Sequence, residues 1–207
     1  MNKSLTLGAA SAALLLTLTG CGDSGTDQSA ATTGPAAVTT PVNADNGAGE
    51  HNDADVTFAE GMAPHHSQAI EMSDMLLGKL GIDPRVVDLA QQIKAEQGPE
   101  LEQLNAWLTE WGQVPAATTT TGMNMPGGGE DMGMMSAEDM AALDDAQGVE
   151  ATKLFLTQMT EHHTGAITMA QTEVADGQKA QAKAMAQNII TTQQQELTTM
   201  EQLLSTL

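Results

Sequence analysis

Cysteine, aromatic residues and basic residues are all scarce in this 207-residue sequence. It has one cysteine, which excludes a disulfide bond within the chain. Seven lysines and arginines stand against 27 aspartates and glutamates, so the formal net charge is −20 at pH 7. Such a charge repels nucleic acid and anionic lipid surfaces and favours cations, so we expect no nucleic-acid partner. Tyrosine is absent, whereas methionine occurs 14 times, which draws attention to thioether chemistry.

Long apolar runs and strand-like alternation are lacking as well. No segment alternates apolar and polar residues as a β-strand does, so the sequence predicts an all-α protein. The apolar run from Leu5 to Leu18 is too short to be a stable transmembrane anchor. It leads into Cys21 and resembles a bacterial lipoprotein signal, in which a diacylglyceryl group is attached to the cysteine. We expect a signal peptide over residues 1–20 and an extracytoplasmic protein anchored to the bacterial membrane or envelope through Cys21; a plain secretory signal is the alternative.

Residues 21–54 consist mostly of glycine, serine, threonine, alanine, proline, aspartate and asparagine. They offer too little apolar surface to offset the conformational entropy that folding would remove. We therefore expect a disordered tether that holds a domain away from the membrane. The tether includes His51, to which we assign no role.

The chain contains one motif twice. FAEGMAPHHSQAIEM at 58–72 and FLTQMTEHHTGAITM at 155–169 share seven positions at a constant offset of 97, including four of the five histidines and both phenylalanines. Further along, the pattern Gln-x2-Glu-Leu at 97–101 returns at 193–197, at an offset of 96. The rarest residue types would not fall into register by chance, so the sequence indicates an internal duplication. Each copy contains the motif segment, a short connector and a second segment with apolar periodicity.

Apolar residues in both copies recur at the spacing of an α-helix. The expected buried seam of the first helix consists of Phe58, Met62, His65, Ala69, Met72 and Leu76. The pattern predicts long helices over about 55–77, 84–111, 149–175 and 179–207, and a short helix over about 136–143. We expect a four-helix bundle of two duplicated helical hairpins over residues 55–207. The first hairpin would span 55–111, a methionine-rich loop 112–135, and the short helix with the second hairpin 136–207.

Imidazole nitrogen and thioether sulfur are the metal ligands that the duplicated motif offers. Thioether ligands select Cu(I) over hard cations. Adjacent residues on a helix are rotated by about 100° from each other, so His65 and His66 do not easily bind one ion together. Two copies that face each other would bring together one seam histidine and nearby sulfurs from each helix. Because imidazole ligates only when neutral, we expect binding to weaken as the pH falls through about 6.5.

The two Phe-x3-Met-x2-His-His-x3-Ile-x-Met segments and the Gln-x2-Glu-Leu segments resemble the bacterial family catalogued as domain of unknown function 305, over roughly residues 52–207. The resemblance implies a ferritin-like four-helix bundle. It also implies copper binding through methionine and histidine, as in extracytoplasmic members that support copper tolerance. An acidic residue often lies three positions before the motif phenylalanine; Asp55 has this place in the first copy and Thr152 in the second. The implied ligands are Met62, His65, His66, Met72, Met159, His162, His163 and Met169.

The long connection from Gly112 to Met135 contains a second group of candidate ligands. Methionine in a solvated, glycine-rich loop buries little surface, so packing does not explain it. We expect these residues to bind Cu(I) weakly and reversibly while the loop stays mobile, because unfixed ligands must be ordered on binding. The candidates are Met123, Met125, Met132, Met134 and Met135.

We interpret the protein as a non-enzymatic copper-binding protein for copper sequestration, tolerance or transfer, with Cu(I) favoured and Cu(II) as the alternative oxidation state. The main alternative is a metal-independent helical interaction module at the cell envelope. A di-metal redox enzyme is less favoured, because neither copy contains the Glu-x-x-His of di-iron bundles. A hydrolase is disfavoured because no nucleophile motif is present.

Overall fold

The computed structural model describes residues 50–115 and 132–207, and these residues form five helices and no strand. The predicted all-α fold is therefore confirmed. None of the described helices is long and apolar enough to cross a membrane. Cys21, the leader and most of the predicted tether lie outside the described residues. The helices are α1 (Asp53–Leu77), α2 (Pro84–Glu110), α3 (Ala137–Asp145), α4 (Gly148–Asp176) and α5 (Ala180–Leu204).

Helix α1 begins two residues earlier than the apolar periodicity predicts. The Asn52 side chain accepts hydrogen bonds from the amides of Ala54 and Asp55, and the Asp55 carboxylate accepts one from the Asn52 amide at 2.7 Å. This capping box satisfies amides that the first helical turn leaves free. His51 stacks on Trp111 with ring centroids 4.5 Å apart. Residues 50–54, which we assigned to the tether, therefore belong to the folded part.

Two antiparallel hairpins, α1–α2 and α4–α5, pack against each other mainly through α1 and α4. One apolar cluster joins the C-terminal half of α1 to the N-terminal half of α4, with Leu76 beside Phe155. A second cluster at the other end joins Phe58 to Ala170. The short helix α3, capped by Ser136 as predicted, adds Leu143 to the first cluster. The four motif histidines lie at the level between the two clusters.

Candidate metal centre

His65 of α1 and His162 of α4 lie against each other in the middle of the bundle. Their ring centroids are 3.6 Å apart and the ring planes are inclined by 38°. Both side chains are buried. The expectation that the two motif copies approach each other inside the bundle is confirmed, and the contact joins one hairpin to the other.

His66 and His163 face the second helix of their own hairpins. The Nε2 atom of His66 lies 2.7 Å from Oε2 of Glu100 on α2, and that of His163 lies 2.7 Å from Oε2 of Glu196 on α5. Adjacent histidines diverge because successive helical residues are about 100° apart. Glu100 and Glu196 occupy the same place in the repeated Gln-x2-Glu-Leu segments, and from the sequence we assigned them no role. Their offset of 96, beside the histidine offset of 97, is the signal that could have paired them.

Several ring nitrogens of the four histidines are free to bind a ligand. Nδ1 of each ring, and Nε2 of His162 as well, are buried and have no hydrogen-bond partner among the described residues. In His65 the other nitrogen, Nε2, lies 3.1 Å from the carbonyl of Met132. A carbonyl or carboxylate partner accepts, so it fixes the proton on Nε2 and leaves a lone pair on Nδ1. A buried polar atom without a partner costs about 1–3 kcal/mol, which a bound ion would offset.

Burial keeps the central imidazoles neutral. Desolvation, followed by the neighbouring charge of His66, lowers the pKa of His65 to about 3. Burial and then the proximity of His65 hold the pKa of His162 well below its ordinary value. Both rings therefore remain able to ligate below pH 6.5 in the folded protein. For these two rings the pKa of free histidine is therefore the wrong reference, and any loss of binding through their protonation is expected at a lower pH than about 6.5.

The motif methionines flank the histidine pair on both sides. Met72 and Met159 are fully buried in the cluster toward the C-terminal end of α1. Met62 is fully buried and Met169 is half-buried in the cluster at the opposite end. A Cβ atom added at Gly61 would lie 3.2 Å from Sδ of Met169. Each side of the pair therefore has one thioether from α1 and one from α4.

Residues 132–136, which we call the strap, run over α1 and α4 beside the histidines. The Gln68 side chain accepts from the Met135 amide at 2.7 Å and donates to its carbonyl at 2.9 Å. Gly133 has a φ of +78°, a conformation that favours glycine. A Cβ at Gly165 would overlap the Met132 carbonyl, so glycine allows the close approach.

The strap corrects part of the predicted methionine loop. Met135 is only 8% exposed and packs in the first apolar cluster, while Met132 and Met134 are half-buried. For these three residues the expectation of solvated methionines is wrong, because the strap is held against the bundle. Met123 and Met125 lie outside the described residues.

Asp55, the acidic residue before the first motif, makes structural hydrogen bonds at a distance from the histidines. Asp55 accepts from the amides of Gln178 and Lys179, the latter at 2.9 Å, and so ties α1 to the turn between α4 and α5. Glu173 is buried, and both of its carboxylate oxygens lack a hydrogen-bond partner among the described residues. Thr152 of the second copy donates to the Gly148 carbonyl.

Histidine and carboxylate side chains do not by themselves complete a metal site here. Within residues 50–115 and 132–207, no three histidine, cysteine, aspartate or glutamate side chains converge on a common ion position. A third ligand would have to come from a thioether or from a side chain that moves. The donor set is therefore the soft one of imidazole and thioether, which fits Cu(I) better than a hard cation.

Solved structures with the same fold are known. A DUF305 fragment from Deinococcus radiodurans is 29% identical, with a TM-score of 0.66 over 75% of this chain and 98% of that one. A DUF305 protein from Streptomyces coelicolor, predicted to be secreted, is 31% identical, with a TM-score of 0.63 over 73% and 91%. CopM in a Cu(II)-bound form is 27% identical, with a TM-score of 0.61 over 73% and 96%. CopM is also known in Cu(I)-bound and silver-bound forms.

The family assignment is independent of these structures. A comparison with curated protein sequences gives no match. The model of the family described as domain of unknown function (DUF305) matches residues 55–204, which include both motif copies and all four long helices except the first two residues of α1. The chain therefore belongs to the DUF305 family.

Proposed function

We propose that the protein binds copper, mainly as Cu(I), between its two hairpins. The observation that carries the proposal is the buried contact of His65 with His162, whose rings have nitrogens without a partner among the described residues. The apolar clusters on either side each contain one motif methionine from α1 and one from α4. Soft sulfur with neutral imidazole is a donor set for Cu(I), and burial keeps His65 and His162 neutral. The proposed ligands are the eight motif residues named from the sequence.

The structural relatives support the choice of metal. CopM, which shares this fold at 27% identity over 96% of its length, has been solved with Cu(I) and with Cu(II) bound. It also binds silver, a soft ion like Cu(I). We propose that the same class of ion is the cargo here.

The proposed role is binding and not catalysis. Ferritin-like di-metal enzymes need several carboxylates that converge on both metals. Here Glu100 and Glu196 each contact one histidine of their own hairpin. We propose that the protein sequesters copper, passes it on, or both, and so supports copper tolerance.

The proposed location is outside the cytoplasm, on a lipid anchor at Cys21. Support comes from the leader-like sequence before Cys21 and from the Streptomyces coelicolor relative that is predicted to be secreted. Thioether ligands also suit a compartment where Cu(I) is not captured by abundant thiols.

Anaerobic titration with Cu(I) and Cu(II), followed by elemental analysis, tests the proposal. The double variant His65→Ala with His162→Ala should lose the tight sites, whereas His51→Ala should keep them, since His51 stacks on Trp111 away from the pair. The double variant should stay folded, because Phe58, Ala69 and their counterparts still pack. A wild-type protein that takes up no copper would contradict the proposal and favour the metal-independent interaction module.

A further inference from the structure

The two histidine–glutamate pairs differ in their access to solvent. The distances are equal, 2.7 Å from imidazole Nε2 to carboxylate Oε2 in both copies. Both imidazoles are fully buried, but the Glu100 side chain is 21% exposed and the Glu196 side chain only 3%. The duplicated halves are therefore unequal: the glutamate of the first pair is accessible to solvent, and that of the second is almost completely buried.

The exposed side of Glu100 opens into a cleft between α2 and α5. The cleft has a volume of about 350 Å³, and Gln103, Trp107 and Met185 also line it. The cleft is shallow, and its lining residues include Glu100, whose carboxylate contacts His66, and Met185. A larger cleft of about 540 Å³, lined by residues such as Asp74 and Lys79, contains no residue that hydrogen-bonds to a motif histidine.

The opposite face of the bundle is covered. On the α1–α4 side the strap covers the histidines. The Met132 carbonyl lies within hydrogen-bond distance of Nε2 of His65, and the Gln68 side chain bonds to both the amide and the carbonyl of Met135. At Gly165 the strap backbone packs directly on α4. Of these two faces, the one with the α2–α5 cleft leaves Glu100, the partner of His66, accessible to solvent.

We propose that copper enters through the α2–α5 cleft, where the negative charge of the Glu100 carboxylate attracts the cation, and then binds His66. The proposal rests on the copper-binding function proposed above and names its entry route. A cation at the carboxylate competes with the Nε2–H of His66, so binding there loosens the hydrogen bond that fixes this ring. Behind it, Nδ1 of His66 is a buried nitrogen without a partner among the described residues. Glu196, which solvent does not reach, only positions His163.

Loading kinetics separate an entry residue from a positioning residue. The full chain, purified without metal, is mixed anaerobically with Cu(I) in a stopped-flow instrument, and the fluorescence of its two tryptophans is followed. Trp107 lines the cleft and reports the ion's passage. Glu100→Gln should slow loading about tenfold, the lower end of what a focused charge contributes, and leave the final number of bound ions unchanged. Glu196→Gln should load at the wild-type rate.

Filling the cleft is a second test that leaves both carboxylates in place. Ala184 is exposed and lines the cleft, so Ala184→Phe should slow loading, whereas Ala141→Phe on exposed α3 should not. Glu100→Asp should recover most of the rate that Glu100→Gln loses. If Glu100→Gln fails to fold by circular dichroism, Ala184→Phe and Glu100→Asp decide the question.

The outcomes distinguish the route from the function. A wild type that binds no copper at equilibrium overturns the proposed function and the route with it. A wild type that loads fully, with Glu100→Gln and Ala184→Phe loading equally fast, overturns the route alone. Equal slowing by Glu100→Gln and Glu196→Gln would also overturn it, because a sealed residue does not receive an ion.

Discussion

Gln68 and Gly165 occupy equivalent positions in the two motif copies and hold the same strap in opposite ways. They are 97 residues apart, the offset of the duplication. Gln68 holds the strap through two hydrogen bonds to Met135. Gly165 has no side chain, so the backbone of Met132 can pack directly against α4. Only one strap crosses the two motif helices, and it needs a hydrogen-bonding side chain on α1 and free space on α4. This position therefore distinguishes the two halves of the duplicated domain.

Gly165→Ala should destabilise the domain although alanine is the better helix former. The new methyl group would overlap the Met132 carbonyl, so the strap must shift and release Nε2 of His65. Overpacking of this kind costs about 1–3 kcal/mol in the free energy of unfolding, which urea denaturation followed at 222 nm measures. Gly78→Ala is the control: its φ of −75° suits alanine and its neighbours are at ordinary contact, so stability should hold or rise by about 0.4–1 kcal/mol. Equal effects would contradict the strap contact.

Glu173→Gln should stabilise the protein at pH 8 and above. Burial, followed by the neighbouring carboxylate of Asp55, raises the pKa of Glu173 to about 8, although Lys183 opposes the shift. The folded protein keeps this proton while the unfolded chain releases it above pH 4.5, so the wild-type free energy of unfolding falls as the pH rises from 4.5 to 8. The slope from this one group is at most about 1.4 kcal/mol per pH unit.

A glutamine at 173 does not titrate, so the variant should lose that slope. Burial opposes ionisation of Asp55, but hydrogen bonds from the amides of Asn52, Lys179 and Gln178 outweigh it and hold its pKa below 3.8. Its contribution is present above that pH and is lost below it. Denaturation of the wild type and the variant at several values from pH 5 to 9 measures the difference. Parallel curves would contradict the raised pKa of Glu173.

The central histidines should make the metal-free protein less stable in acid. The folded state keeps His65 and His162 neutral because their pKa values are lowered, whereas the unfolded chain protonates them below about pH 6.5. The unfolded state then binds more protons, so the free energy of unfolding falls as the pH drops below 6.5. The wild type should lose more stability between pH 7 and 5 than His65→Ala with His162→Ala. Bound copper should reduce that loss, and a loss identical in both proteins would argue against buried neutral rings.

Replacing all five loop and strap methionines with leucine should lower the number of Cu(I) ions bound and leave the helix content unchanged. Leucine preserves the apolar volume that Met135 contributes to the core, while removing its sulfur. A second variant that replaces only Met123 and Met125 separates the loop from the strap. Elemental analysis after anaerobic loading gives the stoichiometry; an unaltered number would show that these sulfurs are not ligands.

Cys21→Ser should release the protein from membranes into the soluble fraction. Each buried methylene of an acyl chain contributes about 0.8 kcal/mol to membrane attachment, and serine cannot receive the thioether-linked lipid. Cell fractionation and mass spectrometry of the N-terminal peptide measure the outcome. A wild type that is already soluble and carries no lipid would contradict the anchor.

The sequence predicted the contact between the two motif copies and missed the contacts of the motifs with α2, with α5 and with the strap. Constant spacing identified His65 and His162 and predicted that they meet, because both lie on the apolar seam of duplicated helices. Contact between His66 and Glu100 depends on how α2 docks on α1, which periodicity within one helix does not encode. The strap was missed for a related reason. Glycine and methionine in the local sequence predict a solvated loop, and its packing is seen only from its contacts with Gln68 and Gly165 on other elements.

The contact of His65 with His162 spans the boundary between the two hairpins, which also meet in the two apolar clusters and are linked along the chain by residues 111–147. An ion bound there would cross-link the two hairpins reversibly, which no contact within one hairpin can do. Its removal would loosen the whole domain and not one loop, since a ligand that binds only the folded state stabilises all of it. A protease or a partner protein could then distinguish loaded from empty molecules without touching the metal.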